Sequence, residues 1–292
     1  MKEVVLMWKH TRMIILTALC AAIYAAVLIP FKGGIVLIPG VTEVRPANAF
    51  PVLFGLLFGP AGAWGTAIGN FIANVLGGTS GGVFEFVGDL ANFYLAFVAY
   101  KMWGSLGLVP AHDMSPTVNT FRKTLAYIII SVVAACTCGI IIAWANDLLG
   151  ITPFAPLATI IVVNNTLTEI FLGIPLLRLI YPRIKHWSLI WTDIMAEEEV
   201  SRGFARQVGA MLMAIGAIGG FVAGIVSSTG IYGQELFQFG AGEVGQLGVG
   251  LSVLPFLILI AVASFMLSGR EQFVEDDEDE PQPSSNPGLV RP

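Results

Sequence analysis

The sequence predicts an all-α polytopic membrane protein, and three observations carry that reading. Mean hydropathy is +0.79, with 55% of the 292 residues apolar and 12% charged, more apolar surface than a water-soluble fold of this size hides. Apolar stretches separated by short loops recur along the whole chain. The basic residues fall on alternate sides of those stretches. With the N-terminus placed in the cytoplasm, the inner side collects Lys2, Lys9, Arg12, Lys101, Arg122, Lys123, Arg178, Arg183, Lys185, Arg202, Arg206, Arg270 and Arg291, while the outer side keeps only Lys32 and Arg45. Insertion that retains basic loops inside produces this asymmetry, so a multi-pass protein of the cytoplasmic membrane with both termini inside is expected.

The spans are placed at 12–30, 47–59, 60–77, 82–103, 122–148, 153–181, 204–228 and 244–269. The first lacks a small-residue cleavage site and runs on into further spans, which marks it as a retained helix rather than a signal peptide. The second is short and contains Pro51; at 1.5 Å per residue it covers only about 20 Å. Joined to the third at Gly59-Pro60, it reads either as a full crossing or as half of a re-entrant hairpin, and both return the chain to the outer side. Residues 31–46 form an outer loop with an apolar centre, expected to fold over something. The third span carries Ala61, Gly65, Gly69 and Ala73 at four-residue spacing, a close-packing face, and Trp64 at its inner end reads as an interface anchor. Phe86, Phe93, Phe97 and Tyr100 on the fourth read as packing. Residues 183–203, with Trp187, Ile190, Trp191, Ile194 and Met195 at helical spacing beside basic residues, predict an amphipathic helix lying in the inner interface. Gly216, Gly220 and Gly224 give the seventh span a second close-packing face. The tail 270–292 is acidic, then rich in Pro and Ser, and is expected to be disordered.

Ionisable and amide groups inside spans are costly and therefore informative. Arg45 and Asn48 sit where the second span leaves the outer face, Asn70 and Asn74 near the outer end of the third, and Glu85 and Asp89 just inside the outer end of the fourth. The topology puts all six at similar depth, where they line one pocket for a small polar solute; alternatively, Arg45 neutralises Glu85 or Asp89 and the asparagines join helix to helix. Asn164 and Asn165 lie deeper, and adjacency lets only one of them, taken as Asn165, form the pocket floor. Glu169 follows Pro153 by about 24 Å of helix, which places it toward the inner side and outside that pocket. On the first span, Ala18, Ala22 and Ala26 form a flat face for another helix, within the chain or in a partner.

Several chemistries are missing from the sequence. His10, His112 and His186 all lie outside the spans, so no histidine metal site is expected in the membrane, and no catalytic or cofactor site is read. Phosphate-loop, H-E-x-x-H and G-x-S-x-G motifs do not occur. Cys20, Cys136 and Cys138 fall within apolar stretches and read as packing residues. No basic stripe indicates nucleic acid. Active transport by this chain would draw its energy from an ion gradient or from another subunit.

The alanine face of the first span, the capping loop, the run VRPANAFPVLFGLLFGPAGAWGTAIGNFIANVLGG and the following GGVFEFVGDLANFYLAFVAYKMWG resemble the substrate-binding S component of energy-coupling factor (ECF) vitamin transporters. Val44-Arg45-x-Ala47-Asn48-Ala49, a Gly-rich third span ending in Asn74 and an acid-bearing fourth span are most similar to the QueT-like, queuosine-precursor branch. The resemblance covers residues 12–182. It implies a six-helix core that captures a vitamin-like or nucleobase-like solute under the loop after the first span, with Arg45, Asn48, Asn74, Glu85 and Asp89 in the pocket region. It also implies docking through Ala18, Ala22 and Ala26 on a membrane coupling subunit driven by two ATPases. The chain departs from that pattern after residue 182. The resulting expectation is a core over 1–182, a linker helix over 183–203, a two-helix hairpin over 204–269 and a tail over 270–292. The function expected is non-enzymatic solute capture; the alternatives are a structural membrane protein and a solitary gradient-driven transporter.

Overall fold

A computed structural model describes residues 1–32, 36–38, 42–43, 45–78, 82–229, 244–245 and 247–273. After a short helix α1 (Lys2–Leu6), the chain runs through α2 (Thr11–Leu28), a small antiparallel ribbon of β1 (Val36–Ile38) and β2 (Thr42–Glu43), then α3 (Phe50–Phe58), α4 (Pro60–Leu76), α5 (Gly82–Met102), α6 (Phe121–Leu148), α7 (Phe154–Thr168), α8 (Ile174–His186), α9 (Trp191–Ile194), α10 (Arg206–Thr229) and α11 (Leu247–Met266). Among the described residues, five helical runs are long and apolar enough to cross a membrane, in keeping with a polytopic all-α membrane protein.

The ends of these helices follow from local chemistry. Thr120 caps α6, its hydroxyl accepting the Lys123 amide at 3.3 Å. Pro51 and Pro60 occupy first-turn positions of α3 and α4, where no backbone donor is needed. Between them Gly59 takes φ +51°, a conformation that a side chain strains, and a Cβ there would fall 2.7 Å from the Trp191 ring.

α3 and the 3₁₀ turn Pro46–Ala49 before it are short because they lie inside the protein. Pro51 through Phe58 are all buried, packed against α4 and α5, so the brevity of α3 exposes no backbone to hydrocarbon. The small-residue faces of α4 and α10 act within the chain. Gly65 and Gly69 of α4 ride directly on Cys20, Ala21 and Tyr24 of α2, where added Cβ atoms would approach to 2.4 and 2.8 Å. Gly216, Gly220 and Gly224 of α10 let Phe256 and Ile260 of α11, Ile140 of α6 and the Phe154 ring of α7 come as close.

The hairpin of α10 and α11 packs on α6 and α7. At the end where α6 turns into α7, Asp147 joins the pieces: its carboxylate accepts the Phe154 amide at 2.9 Å and its carbonyl accepts the Gly245 amide at 2.7 Å, while Ser228 of α10 accepts from the Ala155 amide at 3.3 Å. α7 and α8 do not form one regular helix. A π-helical turn, Glu169–Gly173, separates them, just ahead of Pro175, which lacks the amide that would continue the ladder.

The segment after α8 corrects the sequence reading. It is not a continuous interfacial helix: α9 has four residues, Glu197–Glu199 is a single 3₁₀ turn, and Ile190, Trp191, Met195 and Val200 are buried in protein. The reason is an aromatic file that competes with lipid for Trp191. Phe93, Phe97 and Tyr100 of α5 lead to Trp191 and then Phe273, with ring centroids 5.3–5.7 Å apart, and the Trp191 indole donates to Gln272 at 3.1 Å. Only Trp187 is exposed as expected of an interface residue. Phe86, expected in the same file, is exposed. Trp64 is a peg rather than a membrane anchor: its indole donates to the Val4 carbonyl at 3.0 Å, and its ring packs edge-on to Trp8 and Phe93. Of the expected disordered tail, residues 274–292 lie outside the described residues.

The end of the bundle that holds the N-terminus is closed by a buried charge cluster. Glu3 pairs with Lys101 of α5, and both side chains are wholly inaccessible. Glu3 also accepts from the Ser201 amide and hydroxyl at 3.1 and 2.9 Å and lies 3.3 Å from the terminal ammonium. Lys101 reaches the Leu267 carbonyl at the end of α11. Burial alone opposes ionisation of Glu3, but Lys101 and the ammonium outweigh it and hold the carboxyl down at about 2.

Replacing Lys101 with Met leaves Glu3 buried and anionic, and should destabilise the fold by about 3–5 kcal/mol in denaturant titrations of the detergent-solubilised protein. The Glu3 contribution is fully present above its ordinary value of 4.5 and is lost as pH falls toward about 2. The melting temperature should therefore drop across that window, and drop less in Glu3→Gln.

Candidate functional site

The centre of the bundle holds a chain of amides linking four separate elements. Tyr24 of α2 shares its single phenolic proton between two side-chain oxygens, Asn48 Oδ1 at 2.7 Å and Asn92 Oδ1 at 2.9 Å. Asn48 stands on the Pro46–Ala49 turn and donates its amide to Asn165 of α7. Asn92 of α5 donates back to the Gly88 carbonyl at 2.8 Å. Asn48, Asn92 and Asn165 are all at most 3% exposed, and Tyr24 is fully buried. In such surroundings each of these groups must find its partner inside the protein.

One turn before Asn92 on α5, Asp89 accepts from Asn70 of α4 at 2.9 Å. A carboxylate accepts only, so Asn70 turns its nitrogen to Asp89, and its oxygen is buried without a partner among the described residues. Glu85 lies one further turn back and is buried. Asn74 is half-buried and accepts from Lys32 at 2.6 Å. Arg45 is half-buried at the start of the Asn48 turn.

The seven candidates thus resolve into neighbouring groups. The structure joins Asn48 to Asn165, Asn70 to Asp89 and Asn74 to Lys32. Asn165, not Asn164, points into the bundle; Asn164 stays half-buried, its carbonyl taking the Thr168 hydroxyl at 2.7 Å. Of the expected cover, residues 31–46, residues 33–35, 39–41 and 44 lie outside the described residues. Sequence reasoning missed Tyr24 and Asn92. Asn92 was legible, since Glu85, Asp89 and Asn92 share one helix face. Tyr24 carried no signal among the alanines of α2.

Glu169 also moves relative to expectation. It lies one turn after Asn165, in the π turn that packs against Pro46–Ala49, and a Cβ on Gly173 would meet the Tyr127 hydroxyl at 2.3 Å and the Ala49 carbonyl at 3.2 Å. The Cys138 thiol sits beside Asn165 and within electrostatic range of both Arg45 and Glu169. Glu169 therefore belongs with the amide network. Counting residues down α7 could not give the position of the short α3 region, which brings Asn48 to meet it.

The three cysteines are free and buried, and no group of His, Cys, Asp or Glu that could hold a metal occurs among the described residues. Charged and amide groups set among apolar walls can bind a small polar solute; they provide no activated nucleophile.

Tyr24→Phe strands two buried amide oxygens and should cost about 1–3 kcal/mol of stability by thermal unfolding in detergent, with the helix content by circular dichroism unchanged.

Comparison with known proteins places this architecture. No curated protein and no solved structure matches the chain. The family model of the QueT transporter matches residues 14–182, from the start of α2 to within four residues of the end of α8 at His186. The matched stretch includes the whole amide network and ends before the Trp191 linker, α10 and α11. The match takes in more than half of the sequence, and the chain belongs to the QueT transporter family.

Proposed function

We propose that this protein is the solute-capturing S component of an uptake system in the cytoplasmic membrane, with both termini inside. It takes a small vitamin-like or nucleobase-like compound from the outer side and works with a coupling subunit and two ATPase subunits. Family membership supports the transport role, and the uneven burial of α2 carries the reading of a docking subunit. Ala21 and Ala25 are buried against α4, whereas Ala18, Ala22 and Ala26 stand exposed one residue away on the same helix. A smooth small-residue ridge gives another transmembrane helix close approach, and here the described residues leave it uncovered. The appended hairpin packs on α6 and α7, which leaves this ridge open.

The solute site proposed is the region framed by Arg45, Asn48, Asn70, Asn74, Glu85, Asp89 and Asn165. The rival reading, in which these groups only tie helices together, draws on the internally satisfied Tyr24–Asn48–Asn165 bonds. It accounts less well for the buried Asn70 oxygen that no neighbour satisfies.

Co-purification from the native host in mild detergent tests the assembly. The wild-type chain should bring down a membrane coupling subunit and ATPases, and Ala22→Trp should lose them while keeping any bound small molecule. Recovery of the wild-type chain alone, or unchanged recovery of the partners with the variant, would count against docking through α2.

A further inference from the structure

Among the acidic groups in the spans, Glu169 stands apart. Its side chain is wholly inaccessible, and neither carboxyl oxygen has a hydrogen-bond partner among the described residues. Among the described residues no cation hydrogen-bonds to it. Tyr127 of α6 spends its hydroxyl on the Glu169 backbone carbonyl at 3.2 Å. Ser131 of α6 stands beside the carboxyl, near enough to act on it electrostatically, but makes no well-formed hydrogen bond with it. α3, which packs against the same turn, carries no polar side chain between Phe50 and Phe58. Arg45, on the neighbouring turn, does not reach the carboxylate. Other buried acids in this protein are treated differently: Glu3 meets a lysine and an ammonium, and Asp147 caps a helix.

Another buried atom near the network that meets no partner among the described residues is the Asn70 oxygen, fixed as an acceptor because its nitrogen serves Asp89. The unmet demand around the amide chain is thus for hydrogen-bond donors, and a cation brought to Glu169 would keep its carboxyl ionised. The backbone there is already irregular: the π turn widens the helix where the carboxylate leaves it, a feature that recurs at functional sites.

We propose that Glu169 is the recognition group for a protonated nitrogen on the transported solute, an ammonium or amidinium that the carboxylate receives in a charge-assisted hydrogen bond. The solute's remaining N–H groups complete Asn70 and the Asn48–Asn165 pair. This rests on the reading of the amide network as a solute site and adds to it the charge class of the solute and the residue that selects it. A neutral analogue of the same shape forfeits the charge-assisted bond and leaves the carboxylate buried and unmet, which makes the site discriminate strongly against it.

The test compares metabolites retained by wild-type protein and by Glu169→Gln, both purified from the native host in mild detergent and extracted for mass spectrometry. The wild type should retain a compound with a basic nitrogen. Glu169→Gln, equal in shape but neutral, should retain at least about tenfold less while melting as a folded protein. Equal retention by the variant, or a retained compound without a basic nitrogen, overturns the proposal and leaves the solute site standing. A wild-type protein that retains nothing overturns the solute-site reading itself. Should Glu169→Gln fail to fold, Glu169→Asp decides: it keeps the charge one methylene shorter, so retention should fall without vanishing, and unchanged retention refutes direct contact.

Discussion

The absence of water from the membrane interior governs this protein. A polar group buried among helices in hydrocarbon has only the chain, or something the chain binds, to complete its hydrogen bonds. The observed interior follows from that rule. Tyr24, Asn48, Asn92 and Asn165 close on one another across four elements. Asn70 turns its donor to Asp89, and Asp147 spends its carboxylate on the first amide of α7. Glu3 and Lys101, wholly removed from solvent, survive as ions because each faces the other and several further partners. Such pairs contribute little net stability compared with apolar packing, but removing one partner is costly, so they fix which elements meet.

Packing supplies what the polar bonds alone do not. With lipid on the outside, helices gain little from hiding apolar side chains, and close contact through small residues takes over. Gly65 and Gly69 bring α4 onto α2, and Gly216, Gly220 and Gly224 bring α10 onto α6, α7 and α11. The α2–α4 contact sets the depth of Tyr24, and the burial of α3 sets the depth of Asn48. The amide network exists because these two placements coincide with Asn165 on α7. The appended hairpin is part of the same packed body, held at one end by Asp147 and Ser228 and at the other by Ser201 and Leu267 around the Glu3–Lys101 pair. A movement of the core that displaced α6 and α7 would carry α10 and α11 with it.

α2 presents both aspects of this logic on one helix. Its buried side supplies Tyr24 to the interior, and its open side leaves Ala18, Ala22 and Ala26 uncovered. Solute contact and partner contact on opposite sides of a single rigid helix would link capture to docking without a long relay.

The sequence by itself determined the order of the long apolar helices, because span length and apolar run are one-dimensional properties, and it determined that α3 is short and that polar groups gather in α4 and α5. Family resemblance was also legible, carried by contiguous runs such as VRPANAFPVLFG and GGVFEFVGDLANFYLAF. Tertiary structure alone decided which polar groups meet. Tyr24 looks like one more apolar-span residue until α2 lies against Asn48 of the Pro46–Ala49 turn, and Glu169 looks remote until that turn descends to it. It decided, too, that the segment after α8 packs inward: an amphipathic pattern of Trp and Ile suits a lipid interface and a protein groove equally, and only the presence of Tyr100, Gly59 and Phe273 at the right place selects the groove. Periodicity reports which face of a helix is apolar; what that face meets is set by residues distant in sequence.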